Sequence, residues 1–578
     1  MKYLRSQENL WFWAALCFAA VAVFTNLGSE GIYAAQEGRT ALILRNMFRT
    51  GDYLEMRVDY GVPYEKPIGH YWLCLPSAYF AGLAGDALES AVEWGIRLPS
   101  AFSSLLTVLL AGLLTSRIYK NTRAGAMAMV ILSTMSNFDK LGRLGHIDMP
   151  LACAFMLAMY FLYIGYFENW KPNWKLYLFY VALGWGMLLK GPLVLLLAGL
   201  TVTGMAATRG RRWYEVPRDL RLVRGALIVL AIALPWYIYE CIHSKGAFFE
   251  EFIVKQNLDR FTGDPTVYRK KSPFWHHIPK LIGGALPWSL ATLAALIAYF
   301  KRIIRFKLST GSRFLLIWFL TGFVFFSLSA VKRVDYLLPL FPALAMMTAR
   351  AVAEWCEKSP ALPRKCWLTV WIVFTVILIA AFTVNESGAL IRLGEAMKAG
   401  KFAHATVRDG MTVIMISEFL RERSLAVAAA FAAISALVFF EGWSMGKRHY
   451  DRVFATVALT VLGIFMSYHL GIEPGTDRLR TVKSFARSAR QIVPPEDTVV
   501  YHAKFNTEMI YFMDRDYHRK LTPGDLWVIA PPDDVKRICA RAPGAWQEKL
   551  RTIDNHHYPA VLLKRVKPWS DAPRKEPK

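Results

Sequence analysis

Ile68-Gly69-His70-Tyr71-Trp72-Leu73-Cys74-Leu75-Pro76-Ser77-Ala78-Tyr79-Phe80-Ala81-Gly82-Leu83-Ala84 is the stretch on which the reading of this chain turns. It is apolar and close to the length of a membrane span. If it crosses, every later loop changes sides, and the cluster Arg209, Arg211, Arg212, Arg218, Arg221 and Arg224 faces outward, against the rule that Lys and Arg gather in cytosolic loops. Its interruptions at His70, Pro76 and Gly82 and its wealth of Tyr and Trp suit a helix lying at headgroup level. It is therefore predicted not to cross.

Working outward, an amphipathic pattern over 36–49 precedes it, with Ala41, Leu44, Met47 and Phe48 on one side and Arg39, Arg45 and Arg49 elsewhere. The first outer loop is thus predicted to hold two membrane-surface helices. Apolar runs near 10–27, 96–117, 125–140, 147–167, 175–189, 191–208, 219–241, 280–300, 313–331, 335–352, 366–386, 424–440 and 453–471 read as about thirteen transmembrane helices. The fold class is mainly α and polytopic, as 54% hydrophobic residues and a mean hydropathy of +0.28 demand. With the N-terminus inside, Lys120, Arg123, Lys171, Lys175, the Arg209 cluster, Lys301, Arg302, Lys358, Arg364, Lys447 and Arg448 all fall in cytosolic loops. The net charge of +25 is therefore topological, and nucleic acid is excluded as a partner.

After about residue 471 the composition turns soluble. Candidate strands at 498–502, 526–530 and 560–564 alternate with helical patterns at 481–491 and 533–540. Two domains are predicted, a transmembrane domain over 1–471 and a small α/β domain over 472–578. The seven cysteines include no CxxC pair and imply neither a disulfide framework nor a zinc knuckle. The bulky Tyr33 before Ala34-Ala35 argues against signal-peptide cleavage, so the first helix is predicted to be retained.

Four groups in the outer segments could carry chemistry. Gln36-Glu37-Gly38-Arg39 opens the first surface helix, where an acid also has a dipole reason to be. Pro63-Tyr64-Glu65-Lys66-Pro67 sets an acid and a base between two prolines that fix the local backbone, although a rigid surface turn would look the same. Asp148 stands at the mouth of a span, where it could be either a functional acid or a helix cap, and His146 nearby reads as a polar interface residue rather than a metal ligand. The cations Lys190, Arg260, Lys332 and Arg333, the last two beside Asp335 and Tyr336, oppose the topology rule and call for an anionic ligand such as a lipid phosphate. Carboxylates able to take a hydroxyl proton and cations able to hold a phosphate suit group transfer from a phosphate-linked lipid.

Over about its first 350 residues the chain resembles the GT-C glycosyltransferases that use lipid-linked sugars, notably the lipid A aminoarabinose transferases and the protein mannosyltransferases. The resemblance rests on Glu37-Gly38-Arg39, Arg45-Asn46-Met47, Thr50-Gly51-Asp52-Tyr53, Tyr64-Glu65-Lys66-Pro67, Asp148, Lys190-Gly191, Leu234-Pro235-Trp236, Arg260-Phe261 and Leu286-Pro287-Trp288. It implies a periplasmic acceptor attacking the anomeric carbon of an undecaprenyl-phosphate sugar, with inversion and loss of undecaprenyl phosphate. It implies Glu37 and Asp148 as catalytic acids, and Lys66, Arg260, Lys190, Lys332 and Arg333 at the donor phosphate. Arg39 and Tyr336 would line the cavity, and Glu65 would hold a divalent metal ion, the only cofactor implied. The family's first-loop Asp-Glu pair here reads Gln36-Glu37, and Asn257 stands where some relatives carry a metal-pairing His.

The expected function is transfer of a sugar from a polyprenyl (undecaprenyl) phosphate to lipid A, a lipopolysaccharide core or another periplasmic acceptor. The expected location is the inner membrane of a Gram-negative cell, with the active site and the C-terminal domain on the periplasmic side. The alternative is a transporter or lipid flippase, which calls for charged residues or broken helices near the bilayer midplane and symmetry between halves. Lys190 at a Gly-Pro break is its best support.

Overall fold

The structure, a computed structural model, describes residues 2–29, 31–32, 35–58, 63–83, 92–208, 215–259, 273–304, 308–330, 332–358, 364–399, 407–445, 450–473, 481–501, 507–518, 521–522, 525–541, 544–552 and 560–567. It is mostly helical. The first eleven helices are α1 (Lys2–Phe24), α2 (Ala35–Thr50), α3 (Gly69–Phe80), α4 (Val92–Tyr119), α5 (Thr122–Ser133), α6 (Ser136–Gly142), α7 (Asp148–Leu162), α8 (Leu176–Lys190), α9 (Leu193–Ala207), α10 (Glu215–Asp219) and α11 (Leu222–His243). A π-helical turn, Tyr163–Phe167, prolongs α7.

The opening stretch folds as α3, whose 12 residues reach about 18 Å, well short of a hydrocarbon core of about 30 Å. Its first residue explains its position. A Cβ on Gly69 would lie 2.7 Å from the carbonyl oxygen of Leu188, so only glycine lets α3 rest against the end of α8. The amphipathic α2 buries Ala41, Leu42, Ile43, Leu44 and Met47 and carries Glu37 in its first turn and Arg49 in its last, as the helix dipole favours.

Five helices among the described residues are long and apolar enough to cross a membrane: Val92–Tyr119, Asp148–Phe167, Leu222–His243, Thr310–Leu328 and Val334–Glu357. Shorter apolar helices pack around them, including Leu10–Phe24, Thr122–Ser133, Leu176–Lys190 and Leu193–Ala207. α11 turns bare apolar side chains outward, among them Val223 and Ile242, each about three-quarters exposed, as a lipid-facing helix does.

Two predicted spans are broken. The run 125–140 ends as α5 at Ser133 and resumes as the short α6, while the run 280–300 begins as His277–Gly284 and restarts at Ser289–Ile304. The breaks answer one another: Ser136 N–H donates to the carbonyl of Leu286 (2.9 Å) and Trp288 Nε1 to Thr134 Oγ1 (2.9 Å). Backbone groups freed by each break thus find partners within the bundle.

Charged side chains pair at both ends of the helices. At one end Arg117 pairs with Glu168, Arg302 with Glu354, and Arg221 donates to Tyr177. At the other end lie α2, α3, the 143–148 loop, the C-terminus of α8 and the segment after 481. That last segment forms a five-stranded sheet in the order β2-β1-β3-β5-β4, from β1 (Val499–Tyr501), β2 (Tyr517–His518), β3 (Trp527–Ala530), β4 (Trp546–Arg551) and β5 (Val561–Arg565). β1 runs parallel to β2 and β3, whereas β5 is antiparallel to β3 and β4.

The sheet packs on the first-loop helices. Phe485, Ile510, Phe512 and Trp527 share one apolar cluster with Leu44, Met47, Ile68 and Tyr71. Arg45 donates to the carbonyl of Tyr511 (3.0 Å) and to Asp514 (2.9 Å), Arg49 also reaches Asp514 (3.0 Å), and Lys483 pairs with Glu93.

Candidate functional site

Asp148 opens α7 at the sheet-bearing end and is 4% exposed. One carboxylate oxygen takes a close ion pair from Lys190 Nζ, and the other lies 2.5 Å from His146 Nδ1. Lys190 is the last residue of α8, and Gly191 turns the chain there with φ +85, a value side chains rarely allow. A Cβ at Gly191 would sit 2.6 Å from the Phe252 ring, so the turn also seats the next wall of the site. The Lys190 ammonium stands 5.1 Å from the Tyr336 ring centroid, a cation–π distance. Asp335, next to Tyr336, pairs with Arg333 at 2.9 Å.

A cavity of about 860 Å³ opens beside this group. Lys66, Lys190, Gln256, Asn257 and Ser329 supply its polar wall, and Pro192, Leu193, Leu196, Phe249, Phe252, Phe325 and Phe326 supply much of the rest. Lys332 donates to the Ser329 carbonyl at the cavity edge (2.6 Å), and burial lowers its ammonium below the usual lysine range. Two ammonium groups in the wall of an otherwise largely apolar cavity fit an anion that carries a long hydrocarbon. Asn257, in the π-helical segment Phe249–Asp259, spends its amide on the Phe252 carbonyl (2.6 Å).

Other expected residues lie elsewhere. Glu37 has no exposed surface: Arg97 grips both its oxygens (2.8 and 3.1 Å), and Gly145 N–H donates to it (2.8 Å). A carboxylate so saturated is a structural anchor, which corrects the expectation of Glu37 as a catalytic acid. Arg39 and Glu65 hold each other at 2.5 Å, so Arg39 is committed to Glu65 rather than lining the cavity. Glu65 is held by Arg39, and among the described residues the one group of three His, Cys or acidic side chains with ligand atoms close together is His146, Asp148 and Asp335. Arg260 lies outside the described residues.

The structure thus brings together Asp148, Lys190, Lys66 and Tyr336, with Lys332 and Arg333 on the rim. Sequence reasoning missed Arg97, which besides Glu37 holds the carbonyls of Leu27 (3.1 Å) and Gly31 (3.0 Å). A lone Arg near the start of a long apolar helix was the available signal. It also missed His70, which burial pushes down to about 3, with His146 acting in the same direction and Asp148 opposing.

Residues 67–239 match the model of the dolichyl-phosphate-mannose-protein mannosyltransferase family. An undecaprenyl phosphate-alpha-4-amino-4-deoxy-L-arabinose arabinosyl transferase of Pseudomonas fluorescens is 29% identical over 57% of this chain and 57% of its own length. The corresponding transferase of Pectobacterium atrosepticum is 28% identical over 56% of this chain and 55% of its own. The match therefore spans somewhat more than half the length of these relatives. The crystal structure of ArnT from Cupriavidus metallidurans bound to undecaprenyl phosphate superposes with a TM-score of 0.73 at 19% identity, covering 96% of this chain and 98% of that one. The chain thus shares the fold of that ArnT structure.

Proposed function

We propose that the chain is a membrane glycosyltransferase that takes a sugar from undecaprenyl phosphate and passes it to lipid A or a similar envelope glycolipid. One observation carries the reading: a largely apolar cavity whose wall includes Lys66 and Lys190, with Asp148 bound to the second of these. The names of the relatives support it and make 4-amino-4-deoxy-L-arabinose the first sugar to test.

In this reading the prenyl chain lies along Leu193, Leu196 and Phe325, and the phosphate faces the two ammonium groups. The acceptor attacks the anomeric carbon, the bond from that carbon to the phosphate oxygen breaks, and undecaprenyl phosphate leaves. Lys66 and Lys190 stabilise the charge that grows on the leaving phosphate, a contribution worth about 10²–10³ in rate per donor. Asp148 fixes the Lys190 ammonium in the wall of the cavity. An acceptor phosphate of lipid A is already ionised and needs no base, which agrees with the occupation of both Asp148 oxygens.

The finer architecture belongs to the same proposal. The chain crosses the inner membrane about thirteen times from a cytosolic N-terminus, α2 and α3 lie on the periplasmic surface, and residues 472–578 form a cap over the transmembrane unit 1–471. The segregation of the Arg117, Arg221 and Arg302 contacts from the site end supports this orientation. Mass spectrometry of envelope glycolipids with and without the gene is the test. A sugar-sized loss from lipid A in the deletion supports the proposal, and identical glycolipid profiles refute it.

A further inference from the structure

A second cavity, of about 310 Å³, shares no lining residue with the one at Lys66 and Lys190. It is a groove between α1, α5 and the helix Tyr450–Ser467. α5 gives it Arg123, Ala126, Met127 and Val130, which at spacings of three and four lie on one helix face. α1 gives the face from Trp11 to Val21, and the third helix the face from Phe454 to Leu462. Among the described residues Arg123 is its one charged group.

The three helices run the same way. Beyond the C-terminus of α5, Arg143 donates to the carbonyls of Ala22 and Val23 near the end of α1 (3.2 and 3.1 Å), and Asp139 lies 3.0 Å from His469, just after the third helix. Their N-terminal ends therefore meet at the other end of the bundle, and Arg123, in the first turn of α5, marks that end of the groove. From Arg123 to Val130 the groove runs about 10 Å, and from Trp11 to Val21 about 15 Å. That is half of a hydrocarbon core of about 30 Å, the depth of one leaflet. A partner's spanning helix would continue through both leaflets, whereas a single lipid tail ends where the groove ends. Trp11, 44% exposed, stands in the first half of α1, where an indole suits the headgroup level, and Lys120 is exposed in the turn before α5.

We propose that this groove binds an acyl chain of an anionic glycerophospholipid of the phosphatidylglycerol type, with the lipid phosphate at Arg123. A zwitterionic headgroup brings its own ammonium, which Arg123 and Lys120 repel, whereas a net anion gains from both. The orientation proposed above makes the leaflet the cytosolic one, but the site does not depend on it. Occupancy also braces the bundle: Phe454 in the groove wall stacks on Trp288 (centroids 6.0 Å apart), which bonds Thr134 at the break after α5.

The test uses the full chain, delipidated in detergent and titrated with dioleoyl phosphatidylglycerol or dioleoyl phosphatidylethanolamine, with retained lipid counted by native mass spectrometry. The expected result is one retained phosphatidylglycerol, held about fivefold or more tighter than phosphatidylethanolamine, with a rise in melting temperature. Arg123→Gln, at an exposed position, should abolish the preference in a folded chain. Ala458→Phe should fill the groove and weaken retention about tenfold or more. Where that variant does not fold, Leu459→Trp on the groove wall, at a position 59% exposed, takes its place. Lys66→Ala should leave phosphatidylglycerol retention unchanged, because Lys66 lines the other cavity. Equal retention of the two lipids by the wild type, a preference that survives in folded Arg123→Gln, or one that is lost in Lys66→Ala overturns the proposal. None of these readouts involves sugar transfer, so failure here and failure of the transferase reading are told apart.

Discussion

At the scale of single residues, two buried acids with similar surroundings in the sequence have different tasks. Glu37 is saturated by Arg97 and Gly145, whereas Asp148 meets Lys190 at the rim of a cavity. Arg97→Ala leaves Glu37 buried and unpaired, and it is expected to cost about 3–5 kcal/mol, read as a marked drop in melting temperature in detergent. Lys190→Ala should instead lower transfer by about 10²-fold or more while the melting temperature moves less. If both variants melt and turn over alike, the division of labour is wrong. The sequence made Asp148, Lys190 and Lys66 legible because charges on the face opposite the basic loops need a reason. It could not separate Glu37 from Asp148, because the partner that saturates Glu37 is Arg97, sixty positions away by chain and in contact only through the fold.

At the scale of elements, close backbone approaches set the geometry. Gly69→Val would prise α3 from α8 next to Lys190, since the new Cβ meets the Leu188 carbonyl at 2.7 Å. A fall in transfer together with a fall in melting temperature is expected, and retention of both would show that α3 does not seat the site. The short helix His277–Gly284 offers a pH test. His277 is buried between His276 and Lys332, and burial, ahead of those two charges, lowers it to about 4. A histidine held neutral in the fold gains a proton on unfolding, so its stabilising share is complete above pH about 6.5 and is lost as pH falls toward 4. Melting temperature should decline across that window, and less steeply in His277→Gln. An unchanged slope would remove His277 from the account. The helices Ala35–Thr50 and Gly69–Phe80 and most apolar runs were readable from periodicity and punctuation. The breaks at 134–135 and 285–288 were not, because hydropathy is blind to a helix that stops inside the bundle when a neighbour supplies the missing hydrogen bonds.

At the scale of the whole molecule, reading the helix Gly69–Phe80 as one that does not cross puts every proposed site residue on one side of the proposed topology. In spheroplasts of a strain carrying a cysteine-free chain, Thr50→Cys should react with an impermeant maleimide and Lys171→Cys should not, both positions being exposed. The reverse pattern would invert the topology. The C-terminal strands at 499–501, 527–530 and 561–565 were anticipated from short alternating runs, whereas β2, of two residues, and β4, whose pattern is mostly exposed and polar, carry too little apolar signal to be read. That the sheet shares its core with α2 and α3 could not be read at all, since it depends on contacts such as Arg45 with Asp514. The central claim is that this end of the molecule transfers a sugar from a lipid phosphate at Lys66 and Asp148. Its most direct measurement is transfer from labelled undecaprenyl-phosphate aminoarabinose to lipid A in membranes holding the wild-type chain, Lys66→Ala or Asp148→Asn. The account expects labelled lipid A and released undecaprenyl phosphate from the wild type, and losses of about 10²-fold or more in each variant. Full transfer by both variants at equal expression would contradict it.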